Sequence, residues 1–253
     1  TAPIEVKPAK SGLQQSDLQG LTEEQFIAKI GPLAQADMQK TGVLASITLA
    51  QCILESGWAS TELAKRANNL FGMKIVLSGN NWPSVWDGKA KVNIRTQEQT
   101  KNGMAYYIHA DFRQYPCIED SLADHSAYLT GAKNGCQLRY AGLKGCTDYV
   151  KAATIIKRGG YATDVEYVQK LTRIIKEHDL TRFDVVKNES STEPAIKPAP
   201  RTEFQVRVTS DVLRIRRGAG LRYDAVGYTG RGVFTIVDTC DGWGKLKSGA
   251  GWI

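Results

Sequence analysis

No stretch of the sequence reaches the roughly 18 consecutive apolar residues that a membrane-spanning helix needs. The longest candidate, Val43 to Leu54, is broken by Ser46, Thr48 and Gln51, so no membrane insertion is expected. Histidine is scarce: His109, His125 and His178 are scattered, and neither a CxxC pair nor a zinc-type spacing occurs. That argues against a metal enzyme, and no cofactor is expected. Five cysteines is an odd number, so at least one thiol is left over if any disulfide forms. Cys136 and Cys146 lie close enough in sequence to bridge, Cys52 falls inside a helical pattern, and the plain reading of the set is small buried apolar residues. The chain opens at Thr1 without a Met or a signal-like segment, as expected of a mature or trimmed product, which says nothing about export.

What is present is ample apolar material: 42% of 253 residues, enough for a core that needs neither disulfides nor a metal, in one large domain or two smaller ones. Lys and Arg number 33 against 26 Asp and Glu, a net charge of +7. Such an excess favours a polyanionic partner: nucleic acid, an anionic membrane surface or a bacterial wall. Nucleic acid is disfavoured, because no helix clusters Arg and Lys and no RNP-type aromatic motif occurs.

Residues 1–20 carry no aromatic residue and little periodicity, and are expected to be a tail. Thr22-x-x-Gln25 matches a capping box, followed by Phe26, Ile27, Ile30, Leu33 and Ala34 at helical spacing. A second helix is predicted from about Val43, with Val43, Ile47, Ala50 and Leu54 on one stripe, stopping at Ser56-Gly57. Ser60 can cap a short helix to about Ala67. Turn signals at Gly79-Asn80-Asn81 and Asp87-Gly88 frame a hairpin, with strands at Lys89–Ile94 and Ala105–Ile108. Helices return at 118–129, 149–157 and 164–178, the last opened by Thr163-x-x-Glu166. Three of the eight prolines fall within 187–202, a semi-stiff linker, after which short β-type runs (204–208, 212–215, 233–237) alternate with glycines. The fold class is therefore α+β: a mostly helical domain over 21–182 with a small β-lobe, a linker over 183–202, and a small all-β module over 203–253.

The chemistry concentrates at Glu55. It ends a helix beside the buried stripe, where the helix C-terminus and apolar neighbours both disfavour the carboxylate. A carboxylic acid kept neutral beside a cleft suits a general acid for a glycosidic oxygen, and Trp58 offers a flat face for a sugar ring. The alternative is a solvated glutamate closing a core helix. Glu62, in the first turn of the next helix, is expected to serve the helix terminus instead.

Ile53-Leu54-Glu55-Ser56-Gly57-Trp58, Glu62-Leu63-Ala64, Asn68-Asn69-Leu70-Phe71-Gly72-Met73-Lys74, Thr96-x-Glu98, Phe112-Arg113-x-Tyr115, Ser121-x-x-Asp124-His125 and Gly160-Tyr161-Ala162-Thr163-Asp164 together closely resemble the glycoside hydrolase family 73 N-acetylglucosaminidases, bacterial enzymes that cut peptidoglycan. The resemblance spans about residues 21–181. It implies a lysozyme-like fold, an endo-β-N-acetylglucosaminidase activity, Glu55 as general acid, Glu98 on the β-lobe as second carboxylate, and Tyr161 in the groove supporting the reaction. The second carboxylate would activate water or assist attack by the substrate's N-acetyl oxygen; Asp87, Asp111 and Glu119 are its rivals. Asn69 and Phe71 are expected to shape the sugar-binding floor with Trp58, and Tyr140 is a further groove candidate. His125 is read as a structural histidine. The sequence departs from the family at Ala59, usually glycine, at Gln99, commonly aromatic, and in a longer stretch between Lys74 and Thr96 whose Trp82 and Trp86 either extend the glycan platform or pack the hairpin.

Val212-Leu213-Arg214-Ile215-Arg216-Arg217-Gly218, Gly227-Tyr228, Asp241-Gly242-Trp243-Gly244-Lys245-Leu246 and Gly251-Trp252-Ile253 resemble the bacterial SH3 domain family, which implies an SH3-like barrel that binds wall peptide or glycan. From Arg201 on, nine basic residues face five acidic ones, which suits an anionic wall. A monomeric, wall-associated or secreted hydrolase, or a phage lysin released from the cytoplasm, is the resulting expectation. A muramidase cutting the neighbouring bond and an inactive wall-binding protein are the alternatives.

Overall fold

The computed structural model describes residues 12–77, 81–99, 105–185, 203–221, 223–240 and 242–253, apart from the side chains of 97–99 and 105–106. It separates into two compact units, residues 1–133 with 138–187, and residues 134–137 with 188–253.

The first unit is built around α2 (Ala45–Ser56), ten of whose twelve residues are buried. A helix buried on nearly every side belongs in the middle of a core. The other helices are α1 (Glu23–Thr41), α3 (Glu62–Ala67), α4 (Ile118–Gly131), α5 (Tyr149–Arg158) and α6 (Tyr167–Glu177), of which α1, α5 and α6 pack directly on α2. Phe26, Ile30, Ile47, Leu49, Leu122, Ile156 and Leu171 are almost wholly out of water, each worth about 1.5–3 kcal/mol of transfer free energy. The predicted capping box at the start of α1 forms: Gln25 N donates to Thr22 Oγ1 and Thr22 N to Gln25 Oε1. The short α3 is capped by Thr61, not Ser60.

Three boundaries differ from expectation. From Leu13 the chain is not a free tail: Gln15–Leu18 form a 3-10 turn, Leu18 is buried, and Gln15 donates from Nε2 to Ala59 O at 2.8 Å. Residues 1–11 lie outside the described residues. At the other end the domain runs past 182: Asp184 Oδ1 accepts from Ser46 N at 2.8 Å, satisfying an open amide at the start of α2. Phe183 lies so close to Gly31 that a side chain there would collide with its ring. Helix α6 starts at Tyr167, three residues after the predicted start, because Glu166 N binds Asp164 Oδ1 at 2.9 Å in place of the Thr163-x-x-Glu166 box. The expected linker is outside the described residues from 186 to 202.

The β-lobe is an antiparallel ribbon of β1 (Lys91–Gln99) and β2 (Ala105–Arg113), in register from Lys91 opposite Arg113 to Gln99 opposite Ala105. Both strands exceed their predicted lengths. The ribbon is rooted where Arg113 N donates to Met73 O and Lys74 bridges to Phe112. Arg113 and Asp124, both almost fully buried, form an ion pair of 2.8 Å at this root. Tyr115 Oη and Ser84 Oγ also donate to Asp124, at 2.7 and 2.5 Å, and Trp82 Nε1 does so at 3.2 Å. The guanidinium lies over the Trp82 and Trp86 rings, at 5.0 and 4.8 Å. The two tryptophans thus pack the root of the lobe around a buried charge.

A two-residue ladder pairs β3 (Lys133–Asn134) with β4 (Gln137–Leu138). In the second unit β5 (Phe204–Val208), β8 (Gly232–Cys240) and β9 (Trp243–Leu246) form one sheet in the order β5-β8-β9, and β6 (Leu213–Arg216) pairs with β7 (Ala225–Thr229). Its small core is Ile215, Ile236 and Leu246, with Val206, Phe234 and Ile253 against it. Strands β7 and β9, too short and glycine-rich to stand out in the sequence, were not predicted. Cys136 bonds to Cys240, not to Cys146; Cys52 and Cys117 are buried free thiols, as the apolar reading expects of them. Among the described residues no helix is long and apolar enough to cross a membrane, and no group of three or more His, Cys, Asp and Glu could hold a metal ion.

Candidate active site

Glu55 occupies the last turn of α2. Gly57 follows as a left-handed cap with φ 53°, and Trp58 and Ala59 continue the left-handed turn at φ 60° and 58°. Ser56 ties this reversal together: its Oγ donates to Cys52 O at 2.6 Å and accepts from Ala59 N at 2.8 Å. The backbone under the Glu55 carboxyl is therefore fixed by a buried hydroxyl. The side chain is half-buried, and desolvation raises its pKa above the ordinary carboxylate range. A hydrogen bond from Tyr167 opposes part of that rise: Tyr167 Oη donates to Glu55 Oε1 at 3.0 Å, and Gln51 Nε2 donates to Tyr167 Oη at 2.9 Å. Glu55 is thus drawn toward the neutral acid, as its apolar neighbours predict, and it is under the control of a phenol that the sequence reading missed. Tyr167 is one of the apolar positions of α6; only a tertiary contact spanning 112 residues shows that its hydroxyl reaches the acid.

Tyr161 lies on the loop between α5 and α6, half-buried, with its ring 6.0 Å from that of Tyr167. Its hydroxyl donates to Phe71 O at 3.3 Å. Burial, and after it the neighbouring Glu55, push the pKa of this phenol well up, so it stays a proton carrier and hydrogen-bond donor. The structure therefore brings Glu55, Tyr161 and Tyr167 together. Phe71 forms part of the same cluster from below, buried and stacked on His125 with ring centroids 3.8 Å apart. His125 is buried, its ring nitrogens have no hydrogen-bond partner among the described residues, and burial pushes its pKa down to about 3. A neutral packing ring is its state, in keeping with the structural reading.

Three proposed contact residues have other employment. Asn69 is completely buried: Nδ2 donates to Met73 O and Arg113 O, and Oδ1 accepts from Met73 N at 3.0 Å. It shapes the 69–73 loop from inside and offers no surface to a sugar. Tyr140 is likewise buried, its hydroxyl donating to Tyr128 Oη at 3.0 Å. The Trp58 indole packs edge-on against Phe26 and His178, at 5.4 and 5.2 Å. For Asn69 and Tyr140 the residue type suits a groove floor and a core equally well, and packing decides; Trp58 remains half-buried.

Glu98 falls on β1 opposite Tyr106; its side chain lies outside the described residues. Its rivals are engaged elsewhere. Asp87 Oδ1 accepts from Lys89 N and Ala90 N in a turn, and Glu119 accepts from Leu13 N. Asp111 is bound by Asn93 and Lys91, which lower its pKa. Glu62 pairs with Arg66 at 2.7 Å on the exposed face of α3.

Comparison with known proteins matches residues 31–180 to the glucosaminidase family model, described as mannosyl-glycoprotein endo-β-N-acetylglucosaminidase. The exo-glucosaminidase LytG of Bacillus subtilis is 35% identical over 164 residues, which cover 65% of this chain and 54% of LytG. The peptidoglycan hydrolase FlgJ of Escherichia coli K12 is 33% identical over 156 residues, covering 60% of this chain and 45% of FlgJ. The chain thus spans about half the length of these curated relatives. The catalytic domain of the autolysin Auto from Listeria monocytogenes superposes with a TM-score of 0.52 at 31% identity, covering 67% of this chain and 92% of that domain. With a family match over more than half of its length and the helical body and β-lobe in place, the chain belongs to the glucosaminidase family.

Proposed function

We propose that the protein hydrolyses bacterial peptidoglycan as an endo-β-N-acetylglucosaminidase. The observation that carries this reading is a carboxyl held toward its neutral form by burial at a helix end, with the Tyr167 hydroxyl bonded to it and the Tyr161 phenol nearby. Glu55 gives its proton to the glycosidic oxygen while the C1–O bond breaks and its electron pair passes to that oxygen; the sugar develops oxocarbenium character. Water, or the substrate's N-acetyl oxygen, adds at C1. In the first case Glu98 takes the proton of the attacking water; in the second it assists the N-acetyl group. Tyr161 supports the reacting region with its hydroxyl, and Phe71, Asn69 and Tyr140 act from beneath, shaping the floor rather than lining it. Membership of the glucosaminidase family, and the names of LytG as an exo-glucosaminidase and FlgJ as a peptidoglycan hydrolase, support the substrate class.

The second unit is read as an SH3-like wall-binding module on the strength of its motifs, its small β-sheets and its excess of basic residues. Tethering to the polymer raises the effective concentration of substrate at the groove. The enzyme is accordingly placed at the cell wall and taken as a monomer without cofactor.

Zymography on purified walls tests the assignment: the wild type clears, and Glu55→Gln does not. Clearing by both refutes Glu55 as the acid; clearing by neither favours an inactive binder. Relatives in Lactococcus lactis carry the name probable N-acetylmuramidase, so the bond itself needs a direct test. Mass spectrometry of borohydride-reduced fragments is expected to show N-acetylglucosamine at the new reducing end; N-acetylmuramic acid there would assign the neighbouring bond.

A further inference from the structure

The middle of α2 contains a polar side chain that the core does not need. Gln51 is completely buried, and its neighbours Cys52 and Ile53 are buried apolar residues. Its amide donates from Nε2 to Tyr167 Oη, which leaves Oε1 buried and without a partner among the described residues. A buried carbonyl without a donor is destabilising, so an apolar residue of similar volume would serve packing better. The orientation follows from the rest of the chain of bonds. The Tyr167 hydroxyl has one proton, and that proton is directed at Glu55 Oε1; its oxygen can then only accept, and Gln51 supplies the donor.

We propose that Gln51 and Tyr167 are positioning residues for the acid: Gln51 fixes the sense of the Tyr167 hydroxyl, and that hydroxyl occupies Glu55 Oε1, leaving the proton on Oε2 for delivery. This rests on the reading of Glu55 as general acid. The two residues are spaced so that the relay passes through one side of α2, where Gln51 and Glu55 are four residues apart and share a face. The ionisable groups that face Glu55 are the phenols of Tyr167 and Tyr161. Charged groups on the surrounding elements are engaged away from it. Asp184 binds Ser46 N at the far end of α2, Asp37 of α1 binds Ser126, Lys157 of α5 binds Ala162 O, and Lys170 of α6 pairs with Asp164. A carboxyl so placed takes its orientation from the phenol, and any change in the phenol alters its acidity.

The test compares pH–rate profiles on purified walls for wild type, Tyr167→Phe, Gln51→Met and Glu55→Gln, each with its melting temperature. A general acid works only while protonated, so activity falls as pH rises through its pKa. Tyr167→Phe removes a donor to the carboxylate, so its basic limb is expected to move up by about one pH unit, with the plateau rate lowered roughly tenfold. Gln51→Met is expected to melt at or above the wild-type temperature while losing about threefold to tenfold in rate. A merely structural role predicts the reverse pattern, rate falling only with stability and the limb unmoved. A folded Tyr167→Phe with the wild-type limb, or a Gln51→Met with wild-type rate, overturns the relay while leaving Glu55 in place. Activity in Glu55→Gln overturns the acid assignment itself.

Discussion

Replacing Asp124 by Ala should remove the anchor between the β-lobe and α4. The carboxylate is fully buried and accepts from Arg113, Tyr115, Trp82 and Ser84, while the Arg113 guanidinium opposite it is almost equally buried. Truncation strands a buried cation together with three unpaired donors. Breaking such a pair from one side costs about 3–5 kcal/mol, because the surviving charge keeps its desolvation penalty. In a domain of this size each kcal/mol is worth roughly 2–4 °C, so the melting temperature should fall by about 6–20 °C, as followed by circular dichroism at 222 nm. Asp124→Asn keeps the shape and some of the bonds and should lose about half as much. Combining Asp124→Leu with Arg113→Met should cost less than the sum of the two single changes, since the second removes the stranded charge that the first creates. A drop below about 3 °C in Asp124→Ala, or strict additivity in the double variant, would refute the view that this pair is a desolvated unit.

Ala59 holds a left-handed conformation that disfavours a side chain, so Ala59→Gly should raise the melting temperature by about 1–3 °C; a decrease would mean that the buried methyl outweighs the strain. Glu55 has a folded pKa above its unfolded one, so it destabilises the fold progressively as pH rises from the unfolded carboxylate range through that raised value. Glu55→Gln should therefore melt higher than the wild type at neutral and alkaline pH and converge with it near pH 4; a constant offset at every pH would contradict this. Glu62→Ala, which removes only an exposed pair with Arg66, should alter stability by no more than about 0.5 kcal/mol in urea titration.

Local signals carried most of the first unit. The Thr22 box, the Ser56-Gly57 stop and the stripe of α2 each depend on neighbours a few residues apart, and so they could be read from the sequence, which also placed Glu55 at a helix end. Tyr167 was not legible, because the bond that matters joins it to a residue 112 positions away. The same holds for Asp184 on Ser46 and Gln15 on Ala59, contacts that extend the domain beyond both of its predicted edges. Asn69 and Tyr140 illustrate a different limit. Aromatic and amide side chains suit a saccharide and a core alike, and burial is a property of the whole fold. In the second unit, short strands interrupted by glycine left β7 and β9 without a periodic pattern to read.

The Phe71–His125 stack bears on how any titration of this molecule is interpreted. An imidazole that takes up a proton only around pH 3 is electrically silent over the whole range in which wall digestion is assayed. An inflection at neutral pH therefore does not report this ring, despite its place beside the reaction centre. Acid strong enough to charge it would force an ion into the aromatic floor, so loss of the floor and loss of turnover should then arrive in a single step.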